Sequence, residues 1–177
     1  IFCTVRPKMD TISHGLWGAI VAGRKTRRDF WAAFSFGMLP DVLSFGIAFA
    51  SIIFEFNHHV LGEPPPIDSI PAYVFSLYNV THSLIVFALV FALVWIVRRK
   101  AYWPLCAWWL HILVDIPTHA YAFFPTPFLW PVSDFKIDGT AWSSPYIFIP
   151  NIILLAVLYA WFFVVRRRLQ KKKEKIH

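Results

Sequence analysis

Charge is scarce in this chain: Asp, Glu, Lys and Arg make up 15% of it, against about 25% in an ordinary soluble domain, while 58% is hydrophobic, against about 45–50%. That balance excludes an ordinary soluble domain and indicates a membrane protein. Cysteine is nearly absent. Cys3 and Cys106 lie far apart, one near a terminus and one in an apolar run, which excludes a disulfide framework and a cysteine metal site. There is no internal repeat, and the only low-complexity segment is the basic tail. No cleavable signal peptide is evident, because the first apolar block lacks a small-residue cleavage pattern and is interrupted by His14.

Acid is scarcer than base, with 10 Asp and Glu against 17 Lys and Arg and a net charge of +7. The excess does not form a nucleic-acid-binding face. It is concentrated in Arg24 to Arg28, Arg98 to Lys100 and Arg166 to Lys175, each beside an apolar block, as juxtamembrane anchors are. The intervening loops, Glu55 to Ser69 and Pro125 to Ser144, carry Glu55, Glu63, Asp68, Asp134 and Asp138 against a single Lys136. Basic loops stay cytoplasmic, so the three basic runs and the carboxyl terminus are expected inside and the two longer loops outside.

Hydrocarbon about 30 Å thick needs about 20 helical residues to cross. Four blocks qualify: Trp31 to Phe54, Ile70 to Val97, Ala101 to Phe124 and Tyr146 to Val165. A fifth, Asp10 to Gly23, is only half a membrane deep. Arg6 and Lys8 before it place the amino terminus inside, which a full crossing ending at Arg24 would contradict, so a half-buried or re-entrant helix is expected. Met9 is a candidate start, with Ile1 to Lys8 ahead of it. The expected architecture is an all-α integral membrane protein with four transmembrane helices plus a short amino-terminal half-helix, forming one bundle domain over 1–165 and a basic cytoplasmic tail over 166–177.

Into this apolar background the sequence inserts His14, Asp41, His82, His111, Asp115 and His119. A charged residue at the bilayer centre costs at least about 2.5–3.5 kcal/mol, so such residues pair, face a cavity or mark function. Counted from the basic runs, the first five fall within six residues of one depth, about 9 Å at about 1.5 Å per helical residue. His111, Asp115 and His119 stand four apart, along one helical stripe. Imidazole with carboxylate at that spacing suits zinc or another divalent metal, and an ion with an open position makes hydroxide available for hydrolysis near neutral pH. Two other readings fit the same residues: a proton or ion relay in a transporter, and structural pairing in the bundle interior. Asp10, Thr81 and Ser83 suit partners for the far ring nitrogen of metal-bound histidines better than ligands.

The "MDTISHGLWG" start, "LPD" at Leu39 to Asp41, "THS" at Thr81 to Ser83, and "HILVDIPTH" followed by "LWPVSD" at Leu129 to Asp134 resemble, in that order, the bacterial and archaeal inner-membrane metal-dependent hydrolases of the YdjM type. Where many members of that family carry a basic residue shortly before Thr-His-Ser, this chain reads "SLYN". The resemblance implies a protein of a prokaryotic inner membrane, most simply Zn2+-dependent and related at motif level to the zinc phospholipase C and nuclease group. It matches His14, Asp41, His82, His111 and Asp115 to the family's polar positions. The expected activity is hydrolysis by metal-activated water of a lipid or lipid-linked ester or phosphoester. Asp41 or Asp115 would act as ligand or general base, and His119 as acid/base. The aromatic outer loop with Trp130 and Trp142 would form a lid. A proton-coupled or metal-ion transporter using the same cluster is the alternative. The expected partners are the bilayer and the lipid substrate, with no nucleic acid.

Overall fold

The computed structural model describes residues 11–54 and 67–174. It is all-helical, in the order α1 (Thr11–Ala22), α2 (Arg27–Phe54), α3 (Ala72–Thr81), α4 (Leu84–Arg98), α5 (Cys106–Thr118) and α6 (Pro145–Glu174). Among the described residues there is no strand, only an isolated bridge between Ala120 and Phe123. Asp10 and most of the first outer loop lie outside the described residues.

Local chemistry explains the breaks. The short first block becomes the half-helix α1, which stops before Gly23, where the Gly23 amide bonds the Ala19 carbonyl at 3.1 Å. A Cβ at Gly23 would fall 2.6 Å from the Phe30 Cα, so only glycine lets the chain fold back so closely. Thr26 then starts α2 with a reciprocal cap: the Asp29 amide donates to its hydroxyl at 3.0 Å, and the hydroxyl donates to the Asp29 carboxylate at 2.8 Å.

The block Ile70 to Val97, read from sequence as one span, is broken. α3 ends at Thr81, and α4 starts two residues beyond at an angle of 58°. His82 sits in the break. The Ser83 hydroxyl accepts from the Ile85 and Val86 amides at 3.1 and 3.2 Å, a strong N-cap that starts a new helix inside an apolar run. The block Ala101 to Phe124 is also shorter as a helix than its apolar length suggests. α5 has 13 residues, about 20 Å at about 1.5 Å each. It is preceded by a 3-10 turn over Trp103–Leu105 and ends just after Pro117. In contrast, α6 runs without interruption from Pro145 through the basic run to Glu174.

Among the described residues, one helical segment is by itself long and apolar enough to cross a membrane, Pro145–Val165. The bent pair α3 and α4 makes a second if it acts as one span. At the centre, α1 packs against both α2 and α5. Small residues permit the approach: a Cβ on Gly37 of α2 would stand 2.4 Å from the His14 carbonyl, and one on Gly18 of α1 would stand 2.7 Å from the Ala107 Cβ. Such contacts are how helices associate where no hydrophobic force separates protein from lipid. α6 joins this core through polar contacts with α1. The Trp17 indole donates to the Asn151 amide oxygen at 2.7 Å, the Asn151 amide donates to the Ser13 hydroxyl at 2.9 Å, and the Tyr159 hydroxyl donates to the Leu16 carbonyl at 2.9 Å.

Candidate metal centre

Two helices and a helix break deliver the buried polar residues to one place. Asp41 comes from α2 immediately after Pro40, His82 from the break between α3 and α4, and His111 and Asp115 from successive turns of α5. All four are buried, none more than 4% exposed, so their polar atoms must satisfy one another or a bound group.

The surrounding backbone fixes the histidine tautomers. His111 Nδ1 lies 2.7 Å from the Gly37 carbonyl, which can only accept, so Nδ1 carries the proton and Nε2 presents a lone pair. His82 Nδ1 lies 3.2 Å from the Tyr78 carbonyl and 3.0 Å from the Thr81 hydroxyl, whose own proton goes to the Leu77 carbonyl at 2.9 Å. Its Nε2 is therefore a second lone pair. The two Nε2 atoms lie 3.1 Å apart. With both imidazoles neutral and protonated at Nδ1 they would meet lone pair to lone pair, a conflict that a cation between them removes.

Distances support such a cation. Around a tetrahedral ion with bonds of about 2.0–2.1 Å, the ligand atoms stand about 3.3 Å apart. His82 Nε2 is 3.5 Å from Asp41 Oδ1 and 3.4 Å from Asp115 Oδ2; His111 Nε2 is 3.6 Å and 3.0 Å from the same two oxygens. With the 3.1 Å between the imidazoles, five of the six edges bracket that value. Asp115 Oδ2 is buried and has no hydrogen bond, as expected of an oxygen aimed at an ion and not at a neighbour's N–H. Asp41, His82, His111 and Asp115 form a set that can hold a metal ion. Two carboxylates would neutralise a divalent ion in this dry interior.

The remaining expected residues surround this set. His14 lies outside the four-atom group, against the opposite oxygen of Asp115, with its Nε2 at 3.0 Å from Oδ1. The spacing of four had put His119 on a helical stripe with His111 and Asp115. The helix ends at Thr118 instead, and His119 is an extended cap residue whose Nδ1 is 3.5 Å from Asp115 Oδ1. Pro117 and a docked loop cause the ending. The amides of Gly139, Thr140 and Trp142 donate to the carbonyls of His119, Pro117 and Thr118 at 2.8, 2.9 and 3.1 Å. Thr81 touches the His82 ring as expected. Ser83, also expected beside a ligand ring, uses its hydroxyl to cap α4 and to bond the Trp130 carbonyl. Asp10 lies outside the described residues.

Three contributors were not identified in the sequence as site residues. The Gly37 carbonyl holds His111; its signal was a small residue one turn before Asp41. The Tyr78 ring stacks on the His82 ring at 3.8 Å between centroids, one turn before it. The Ser44 hydroxyl lies 2.9 Å from that of Thr81 and donates to the carbonyl of Pro40. Of the two lid tryptophans, Trp142 is buried, edge-on to His14 with ring centroids at 5.3 Å and its indole nitrogen 3.5 Å from Asp115 Oδ1. Trp130 only offers its carbonyl to Ser83. No family model, curated protein or solved structure matches this chain.

Proposed function

We propose that this chain is an integral membrane metal-dependent hydrolase of the YdjM type, acting on a lipid or lipid-linked ester. The observation that carries the reading is the pair of buried Nε2 atoms at 3.1 Å, grouped with carboxylate oxygens of Asp41 and Asp115 at spacings near those of a tetrahedral ion. Zn2+ is the ion this ligand set suits best, since two imidazoles and two carboxylates offer nitrogen and oxygen donors at zinc distances. When bound, such an ion would act as a Lewis acid and, by expanding beyond its four protein donors to accept water, would lower the pKa of that water toward about 7. The chain's own residues do the rest. Gly37, Tyr78 and Thr81 hold the imidazoles in their metal-binding tautomers, while Trp142 and the docked loop close the outer side against water. Asp41, whose Oδ1 faces the two imidazoles and would hold the ion, has a second oxygen that would take a proton from the attacking water. The apolar exterior of α4 and α6 supports a position in a membrane, from which a lipid substrate would enter laterally; the prokaryotic inner membrane follows only from the family resemblance, and the cytoplasmic side of the basic runs only from their charge.

Carriage of a metal ion is the second reading. It is favoured by the broken α3–α4 pair with a ligand at the break, as in transporters whose discontinuous helices bind the cargo. Elemental analysis of the purified protein comes first, with stoichiometric metal expected and its loss in His111→Ala. Absence of metal from the wild type sinks both readings. A panel of phospholipids and polyprenyl phosphates in detergent then separates them. Release of a product supports the hydrolase. Failure across the panel, with ion uptake into liposomes, supports carriage.

A further inference from the structure

Two basic turns far apart in sequence lie at one end of the bundle. α1 runs toward that end and α5 away from it: His14 lies against His111 with ring centroids at 3.9 Å, and one turn further along α1 Gly18 faces Ala107. Arg24 follows Gly18 by six residues and Lys100 precedes Ala107 by seven, so the turn between α1 and α2 and the turn between α4 and α5 stand at about the same height. α6 reaches the same end, where Phe162 stacks on Phe30 with centroids at 6.2 Å. Arg24, Lys25, Arg27 and Arg28 of the first turn and Arg98 to Lys100 of the second are all exposed. The nearest carboxylate in sequence, Asp29, accepts from the Thr26 hydroxyl at 2.8 Å.

Exposed tryptophan gathers at the same end. Trp31 stands three residues after Arg28, Trp95 three before Arg98, Trp103 three after Lys100 and Trp161 five before Arg166, and each is 54–56% exposed. A fifth exposed indole, the 44% exposed Trp109, lies nine residues beyond Lys100. Among the described residues the opposite end exposes Tyr121, Phe135 and Tyr146 but no tryptophan, and its Lys136 stands between Asp134 and Asp138. Indoles favour the headgroup level of a bilayer, where one side of the ring meets hydrocarbon and the other meets water. The cations alone would suit any polyanion. Half-exposed indoles continuous with the exposed Leu93, Ile96 and Val97 of α4 require a partner that offers hydrocarbon beside its charge, which an anionic phospholipid does and a nucleic acid does not. Arg98 lies over the Tyr102 ring at 4.6 Å, a cation–π contact that holds its guanidinium at this level.

We propose that this end of the bundle is a collar for anionic phospholipid headgroups, in which the exposed Lys and Arg of the two turns bind lipid phosphate and the four tryptophans lie just beneath. The chain then draws anionic lipid out of a mixed bilayer. Retention of basic loops on one side of a membrane requires no such selection, so the collar is a separate property. The inference rests on the membrane reading of the proposed function and is independent of the metal.

The test reconstitutes the full chain in vesicles of equal parts phosphatidylcholine and phosphatidylglycerol, with brominated acyl chains on one lipid or on the other, because bromine quenches tryptophan emission only at contact. Brominated phosphatidylglycerol should quench more, giving a relative affinity of about fivefold, the gain of one cation beside an anionic surface. Salt at about 1 M, which shortens the Debye length to about 3 Å, should bring the ratio toward one. Lys25→Gln with Arg27→Gln and Arg28→Gln, and separately Arg98→Gln with Arg99→Gln and Lys100→Gln, should each lower the preference, whereas Arg27→Lys with Arg28→Lys keeps it. Arg24 stays in place because its Nε donates to the Ile20 carbonyl at 2.6 Å and closes α1. Thermal unfolding reports that the fold survives, and the second set serves if the first fails to fold. Equal quenching by the two lipids, or a preference that survives neutralisation of both turns, overturns the collar and leaves the membrane reading standing. Extraction of the chain from the vesicles by alkaline carbonate, with no quenching by either lipid, removes both.

Discussion

The inner helices α1, α2 and α5 and the outer helices α4 and α6 solve different problems in one chain. Among the described residues, α6 contains the one helical segment that is by itself long and apolar enough to cross a membrane, yet most of that segment is exposed. α4 likewise exposes Leu89, Leu93, Ile96 and Val97. Of the inner helices α1 and α5 are short and α2 carries Pro40 within it, and together they bury His14, Asp41, His111 and Asp115. Apolarity therefore marks the helices that face outward. Those that build the site are recognised by small residues and misplaced polar ones, because their close contacts are with each other.

The sharpest way to break this contrast is at the shared carboxylate. Asp115→Ala removes the carboxylate whose two oxygens face two imidazoles each and should weaken metal affinity by more than about 100-fold, since even outer partners of ligands are worth about 10–100-fold. Equilibrium dialysis measures it, and undiminished binding would refute the site. Next is the close contact that seats His14. Gly37→Val puts a side chain where the His14 carbonyl stands and should cost about 1–3 kcal/mol of stability, read by thermal unfolding in detergent. Thr81→Val removes one of two acceptors from His82 Nδ1, and a loss of about 10-fold in metal affinity with little change in melting is expected. Last is the lipid-facing surface. Val157→Leu on exposed α6 should change stability by less than about 0.5 kcal/mol and leave metal content unaltered. A large effect there would mean that α6 packs against protein.

Much of the site was legible because polar residues in apolar blocks are expensive and therefore few. Counting depth from the basic runs brought His14, Asp41, His82, His111 and Asp115 to one layer, and the structure brings all five side chains together. The unread part concerns the backbone. Hydropathy integrates over a window and so joined α3 to α4, whereas a single N-cap serine between them changes the chain's direction. Helical periodicity carried His119 along the stripe of α5, whereas a loop arriving from residues 139–142 competes for the last carbonyls and ends the helix one residue earlier. The bonds of Gly37 and Tyr78 to the imidazoles run through carbonyls, which every residue has, so those bonds left no mark in the sequence.

Composition and the placement of six polar residues pointed to a helical chain with a polar centre, because the cost of burying charge among apolar side chains is written into residue identity. Tertiary structure alone decided which of those residues form one tetrahedral group and which stand on the other side of Asp115. That division depends on the orientation of a carboxylate and on the nitrogen that each imidazole turns inward, and both are set by carbonyls and loops distant in sequence.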